Sequence, residues 1–153
     1  MPKATDGKLK KPAGRTAGIS GEKLAGVSSA LTADDFSKSL LSYVSKEELL
    51  KIGRYFKSGK GEYSEEDVFI GVRMGQVFAL AKEFMDMHPA EIEKLLESSI
   101  HEVRAGAVSI MDFQARNSKT TEERKKELFN LYIKRHDRIN NWDLVDRSAP
   151  YVV

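Results

Sequence analysis

The residues able to do chemistry are few, and the most telling of them sit in one stretch. Asn140-Asn141-Trp142-Asp143-Leu144-Val145-Asp146 carries the only tryptophan of the chain, four residues before an acid. On a helix, positions i and i+4 share a face. Trp142 and Asp146 would then lie side by side, with Leu144 and Val145 turned to a core from the other side and Asp143 joining the pair toward a surface or groove. From the residues alone a second reading stays open and is the simpler one. It has a tryptophan packed into the core and an acid near a helix N-terminus, where negative charge is favoured in any case.

Several other chemistries are excluded. The chain has no cysteine, so it has no thiol nucleophile, thiolate metal site or disulfide framework. His88, His101 and His136 are too far apart in sequence for a local metal motif, and neither HExxH nor a Gly-x-Ser-x-Gly elbow occurs. Surface positions are the expectation for all three. Gly59-Lys60-Gly61 lacks the following Ser or Thr and the preceding strand of a phosphate cradle, and reads as a structured turn. No metal and no small-molecule cofactor is expected.

The elements that must position these residues are helices, because no segment alternates strictly as a half-buried strand does. The expected order begins with a helix over 34–44. A second opens on the capping box Ser45-Lys46-Glu47-Glu48 and carries Leu49, Leu50, Ile52, Tyr55 and Phe56. Residues 57–73 hold Gly59, Gly61 and Gly71 among acids and apolar side chains, which suggests a long ordered connection. Further helices are expected over 75–87 and over 89–97, where Pro89 suits a first helical position. Ser99-Ile100-His101-Glu102 and Thr120-Thr121-Glu122-Glu123 read as two more capping boxes, each opening an amphipathic run of roughly four turns. The last helix should be capped by Asn140 or Asn141 and reach Ser148 before Pro150. Antiparallel helices joined by short turns make either a bundle or an α-solenoid, and periodicity does not separate them.

Composition bounds the partners only loosely. The 153 residues are 41% hydrophobic and 31% charged, as one soluble domain would be. The formal charge is +2, but residues 1–33 hold six basic and two acidic side chains, +4, leaving nineteen against twenty-one, −2, for the remainder. A DNA-binding surface on the folded part must therefore come from arrangement on one face. The 1–33 leader, rich in Gly, Ser, Ala and Lys, reads as a disordered tail with no function assigned. No run is long and apolar enough for a membrane span, and the N-terminus lacks the apolar core of a secretory signal. Cytoplasm is the default location, and the oligomeric state is not legible.

Two longer patterns, in order, carry a resemblance. Tyr55-Phe56-Lys57 through Gly61-Glu62-Tyr63, Asp67, Phe69 and Gly71-Val72-Arg73 resembles the signature connection of DNA alkylation repair enzymes of the AlkD type. Ile139 to Asp146, followed by Ser148-Ala149-Pro150, is similar to a second motif of that family, and Ile100-His101-Glu102 with its flanking helices fits as well. The resemblance spans residues 45–153. It departs at Ser64 and Glu66, where members commonly carry glycine, and at Gly75, where they carry proline. It implies an all-α superhelix of HEAT-like pairs over 34–153 whose concave face holds duplex DNA. It also implies a chain that stops at Tyr151-Val152-Val153, before downstream helices that bring an arginine and a second tryptophan to the cleft, and so exposes an apolar face.

The same resemblance implies an N-glycosylase that releases cationic N3- and N7-alkylated purines from duplex DNA. Asp146 would oppose the charge of an oxocarbenium-like sugar and orient water, and Trp142 would lie against the deoxyribose. Such enzymes need not flip the lesion into a closed pocket, which suits an open groove. Arg73, Lys125, Lys126, Lys134, Arg138 and Arg147, with Arg135 beside them, are the candidate phosphate contacts, though a solvated face explains any one of them alone. Two rival functions share the fold: a non-catalytic protein that binds damaged or branched DNA, and a helical-repeat scaffold for another protein.

Overall fold

Short-range capping decides where most of the helices begin. The computed structural model describes residues 30–55 and 67–153, with the side chains of 52–55 and 142 outside the description. The expected leader therefore lies outside the described residues up to position 29, as does the connection over 56–66. Helix α1, Ala33–Leu41, is capped by Thr32, whose hydroxyl accepts from Asp35 N–H, and carries Asp34 and Asp35 in its first turn. It stops three residues short of expectation. Ser42, Tyr43 and Val44 donate to Ser39, Leu40 and Leu41 in tighter three-residue turns, and the Ser42 hydroxyl takes the Ser39 carbonyl as well.

Helix α2, Lys46–Tyr55, opens as expected on Ser45, whose hydroxyl accepts from Glu48 N–H at 3.4 Å. Helix α3 spans Met74–Glu83 and α4 spans Pro89–Leu96, with Pro89 first and the His88 ring accepting from Ala90 N–H. Glu91 of α4 accepts from Ala33 N–H at 2.8 Å, tying the start of α1 to α4. Helix α6, Glu122–Lys134, is capped by Thr121 rather than Thr120, one residue later than the sequence suggested. A 3-10 turn, His136–Arg138, leads to helix α7, Trp142–Val152, which Asn141 caps through Leu144 N–H.

Three expectations fail for instructive reasons. Pro150 does not end α7, which continues to Val152. A proline inside a helix costs about 3 kcal/mol. Here α7 buries Leu144 and Ser148 completely and Val152 nearly so, and Val153 N–H still reaches the Ala149 carbonyl. The second failure is α5, His101–Arg116, expected to be amphipathic: every residue from His101 to Asp112 is buried. It is the central helix, covered by α3, α4, α6 and α7. Nor is Ser99-Ile100-His101-Glu102 a capping box. Ile100 is the N-cap, and Glu102 reaches away to another segment.

The fold is all-α. Among the described residues the sole extended pairing is an isolated parallel bridge, Val68 to Ile100, with Val68 N–H donating to the Ser99 carbonyl and His101 N–H to the Val68 carbonyl. Residues 31–153 form one unit around a single apolar cluster drawn from α1, α3, α4, α5, α6 and α7. The Phe36 ring of α1 meets Phe84 edge-on, with centroids 5.3 Å apart, and lies over Gly106 of α5.

A methyl at Gly106 would sit 2.6 Å from Phe36 Cε1. Helix propensity favours alanine there by about 1 kcal/mol, but overpacking costs about 1–3 kcal/mol, and Phe36 is fully enclosed. Gly106→Ala is expected to lower stability by up to about 2 kcal/mol, because the steric cost exceeds the propensity gain. A urea midpoint at or above that of the unaltered chain would show that the ring can move aside.

Candidate nucleic-acid interface

Three segments meet at the N-terminal end of α7. The first is 67–72, which runs beside the start of α5. Its backbone is held by one side chain: the Glu102 carboxylate accepts from Ile70, Gly71 and Val72 N–H at 3.0, 2.9 and 3.4 Å. The turn also requires Gly71, whose φ is +83° and whose missing side chain leaves room for Ser45 and Leu49 of the α2 start. Ser45 N–H then donates to the Gly71 carbonyl at 2.8 Å.

The second and third segments are the first turns of α5 and α7, joined through a buried polar centre. His101, expected at the surface, has no exposure at all. Its Nε2 lies 3.3 Å from Asp143 Oδ2 on α7, and its Nδ1 lies 3.1 Å from Asn141 Nδ2 and 3.5 Å from Asp67 Oδ2. The Phe69 ring lies beside it at 4.9 Å. Asn141 spans the centre, since its Oδ1 caps α7 and its Nδ2 also donates to Asp67 at 3.2 Å. Arg104, again buried, pairs with Asp67 and donates to the Ser98 carbonyl and Asn140 Oδ1. Burial works against charge on His101, but hydrogen bonds and charge from Asp143 and Asp67 outweigh it, raising its pKa above the ordinary histidine value. Burial would likewise raise Asp67, and His101 and Arg104 outweigh it, so the Asp67 carboxyl titrates below the usual aspartate range.

Next to this centre a groove of about 240 Å³ opens between α3, α5 and α7. Met74, Phe78, Ala105, Val108 and Leu144 give it an apolar floor, and Asp143, Asp146 and Arg147 line it with charge. The structure thus brings Asp143, Asp146 and Arg147 to one place. Asp146 is exposed, and among the described residues its carboxylate makes no hydrogen bond or ion pair. Arg147 is engaged by other groups: its guanidinium lies 4.0 Å over the Phe78 ring, its Nε donates to Ser109, and Asp112 is 3.9 Å away. Trp142 is the first residue of α7, four before Asp146, with its side chain outside the described residues.

The remaining expected cations do not line this groove. Arg73 precedes α3 and pairs with Glu48. Lys125 pairs with Glu122, Lys134 with Glu93, and Arg135 with Glu93 and Glu97. Arg138 donates to the carbonyls of Leu96, Glu97 and Ser98, where it closes the C-terminal end of α4. Lys126 is exposed and makes no ion pair among the described residues.

Sequence reasoning missed His101, Asp67 and Arg104. A signal was present: after Arg104 the helix runs Ala105 to Met111 with small and apolar residues on every side, which leaves no solvent face for the ionisable residues just before it.

A family model for DNA alkylation repair enzymes matches residues 36–153, a span that contains the groove, the buried centre, α2 to α7 and all but the first turn of α1. The chain belongs to the DNA alkylation repair enzyme family. Comparison with curated proteins and with solved structures gave no match. For a DNA alkylation repair enzyme the substrate is DNA and the task is repair, so the groove beside α7 is the natural place to look for its chemistry. No helix among the described residues is long and apolar enough to cross a membrane.

Proposed function

We propose that this DNA alkylation repair protein is an N-glycosylase that releases cationic N3- and N7-alkylated purines from duplex DNA, with Asp146 as its active carboxylate. One observation supports the assignment above others. Of the charged groups lining the groove, Asp143 is engaged by His101 and Arg147 by Phe78, Ser109 and Asp112, whereas Asp146 is exposed and makes no hydrogen bond or ion pair among the described residues.

An alkylated purine that is already cationic leaves as a neutral base. The C1′–N bond breaks with its electron pair passing to the purine nitrogen, so no strong general acid is needed. The sugar becomes oxocarbenium-like, and an anion beside C1′ lowers that barrier. Water then forms the new C–O bond and its proton passes to Asp146 or solvent, giving an abasic site and the free base. In this reading Trp142 supplies a ring face for the deoxyribose. HEAT-like repeats would present the groove to an unflipped duplex, in the cytoplasm. Arg147, already in the groove, is the first candidate for a phosphate contact. Lys126 is the next, and Arg73, Lys125, Lys134 and Arg138 would contribute from their ion-paired positions.

The test is release of free 7-methylguanine from a methylated duplex, with an abasic site left in the strand. Base release, and binding that weakens steeply with salt, are expected of a chain that carries the whole cleft. Salt-dependent binding without any base release would favour a non-catalytic DNA-binding protein. The absence of both would favour a protein-interaction scaffold.

A further inference from the structure

His101 is the group through which the buried centre reaches the groove. It lies on α5, yet two polar groups against its ring, Asn141 and Asp143, belong to the start of α7. Another, Asp67, is itself bound by Arg104 and by Asn141. Asn141 is the N-cap of α7, and Asp143 is the second carboxylate lining the groove. Removing the ring would loosen the cap and free Asp143 at once. We propose that His101 is a positioning residue: by holding Asp143 and Asn141 it sets the orientation of the first turn of α7 and leaves Asp146 as the groove carboxylate without a partner among the described residues. The link to catalysis rests on the glycosylase reading above, whereas the orientation of α7 does not.

The ring has two states that its surroundings can serve. With a proton on Nε2 alone, it donates to Asp143 while Nδ1 accepts from the Asn141 amide. With a second proton, Nδ1 can only donate, and Asp67 Oδ2 is the acceptor at 3.5 Å. Among the described residues, groups facing the ring include Asp67 and Phe69 from the connecting segment, Arg104 behind Asp67 on α5, and Asn141 and Asp143 at the start of α7. Protonation therefore moves the Asn141 contact, at the residue next to the only tryptophan. The sign follows from the raised pKa. The charged ring's contribution to stability is fully present below the ordinary histidine value, and is lost as pH rises through the folded one.

The experiment uses the full chain and two variants. His101→Leu removes the ring's polar atoms, while His101→Gln keeps an amide donor at about the reach of Nε2. Trp142 fluorescence reports on the start of α7 without any need for activity. The emission of the unaltered chain is expected to change through a single pH transition that both variants lack. At fixed pH, the His101→Leu emission should be displaced and the His101→Gln emission close to that of the unaltered chain. Single-turnover base release should fall on the order of 10–100-fold in His101→Leu, with duplex Kd changed less than about 3-fold, and recover most of its rate in His101→Gln.

A folded His101→Leu chain with unaltered emission and unaltered release overturns the proposal. If that variant does not fold, a pH transition retained in His101→Gln overturns it equally. If the emission results hold but no form releases base, the orientation of α7 by His101 stands and the glycosylase reading is what fails.

Discussion

Asp146→Asn should slow release of 7-methylguanine by about 10²–10³-fold while leaving duplex binding within about 3-fold, the scale found when one preorganised electrostatic group is removed from a transition state. The substitution keeps the shape of the side chain and takes away only its charge. In the ground state that charge faces a base whose positive charge is spread over the ring system. In the transition state the charge has moved to the sugar, where a carboxylate in the groove would oppose it directly. Because Asp146 carries no ion pair within the described residues, nothing else needs to rearrange when it is neutralised, and stability should change little. Asp143→Asn is the informative companion. Its carboxylate is committed to His101, so it should cost less in rate and more in the pH behaviour of Trp142 emission. Base release by Asp146→Asn at the unaltered rate would remove the carboxylate from the mechanism.

Glu102→Ala should have the largest effect on stability, about 3–5 kcal/mol, as for a buried ionic partner whose removal leaves its counterparts unsatisfied. The Glu102 side chain is completely enclosed, and its two oxygens serve three successive amides, Ile70, Gly71 and Val72. Alanine leaves those amides without an acceptor, and the bonds lost by Gly71 and Val72 are buried ones. Glu102→Gln tests the chemistry separately from the volume. It keeps one acceptor oxygen but points an amide donor at other donors, so it should recover only part of the loss. The loss is read from urea midpoints with an unchanged m value. A melt within about 1 kcal/mol of the unaltered chain would mean that 67–72 finds other partners for its amides.

Both effects arise from contacts that differ in how far they reach along the chain, and that distance marks what the sequence determined. Helix formation is local: each backbone bond spans four residues and each cap three. The caps Ser45 and Asn141, the first position of Pro89 and the all-α class were legible for that reason. The place of Asp146 on a helix, four residues after Trp142, was legible as well. What sequence could not supply was the state of groups whose partners lie far along the chain. Glu102 satisfies the local pattern of a capping box, yet its carboxylate is taken by amides 30 to 32 residues away. His101 reads as one more scattered histidine until α7 places Asn141 and Asp143 against it from 40 and 42 residues later. Arg138 reads as a free cation until it meets the end of α4. Pro150 reads as a helix stop until burial of Leu144, Ser148 and Val152 offsets its cost. In each case local energies of about 1–3 kcal/mol were outweighed by desolvation and burial terms of similar or larger size, and these exist only once separate segments have excluded water from between them.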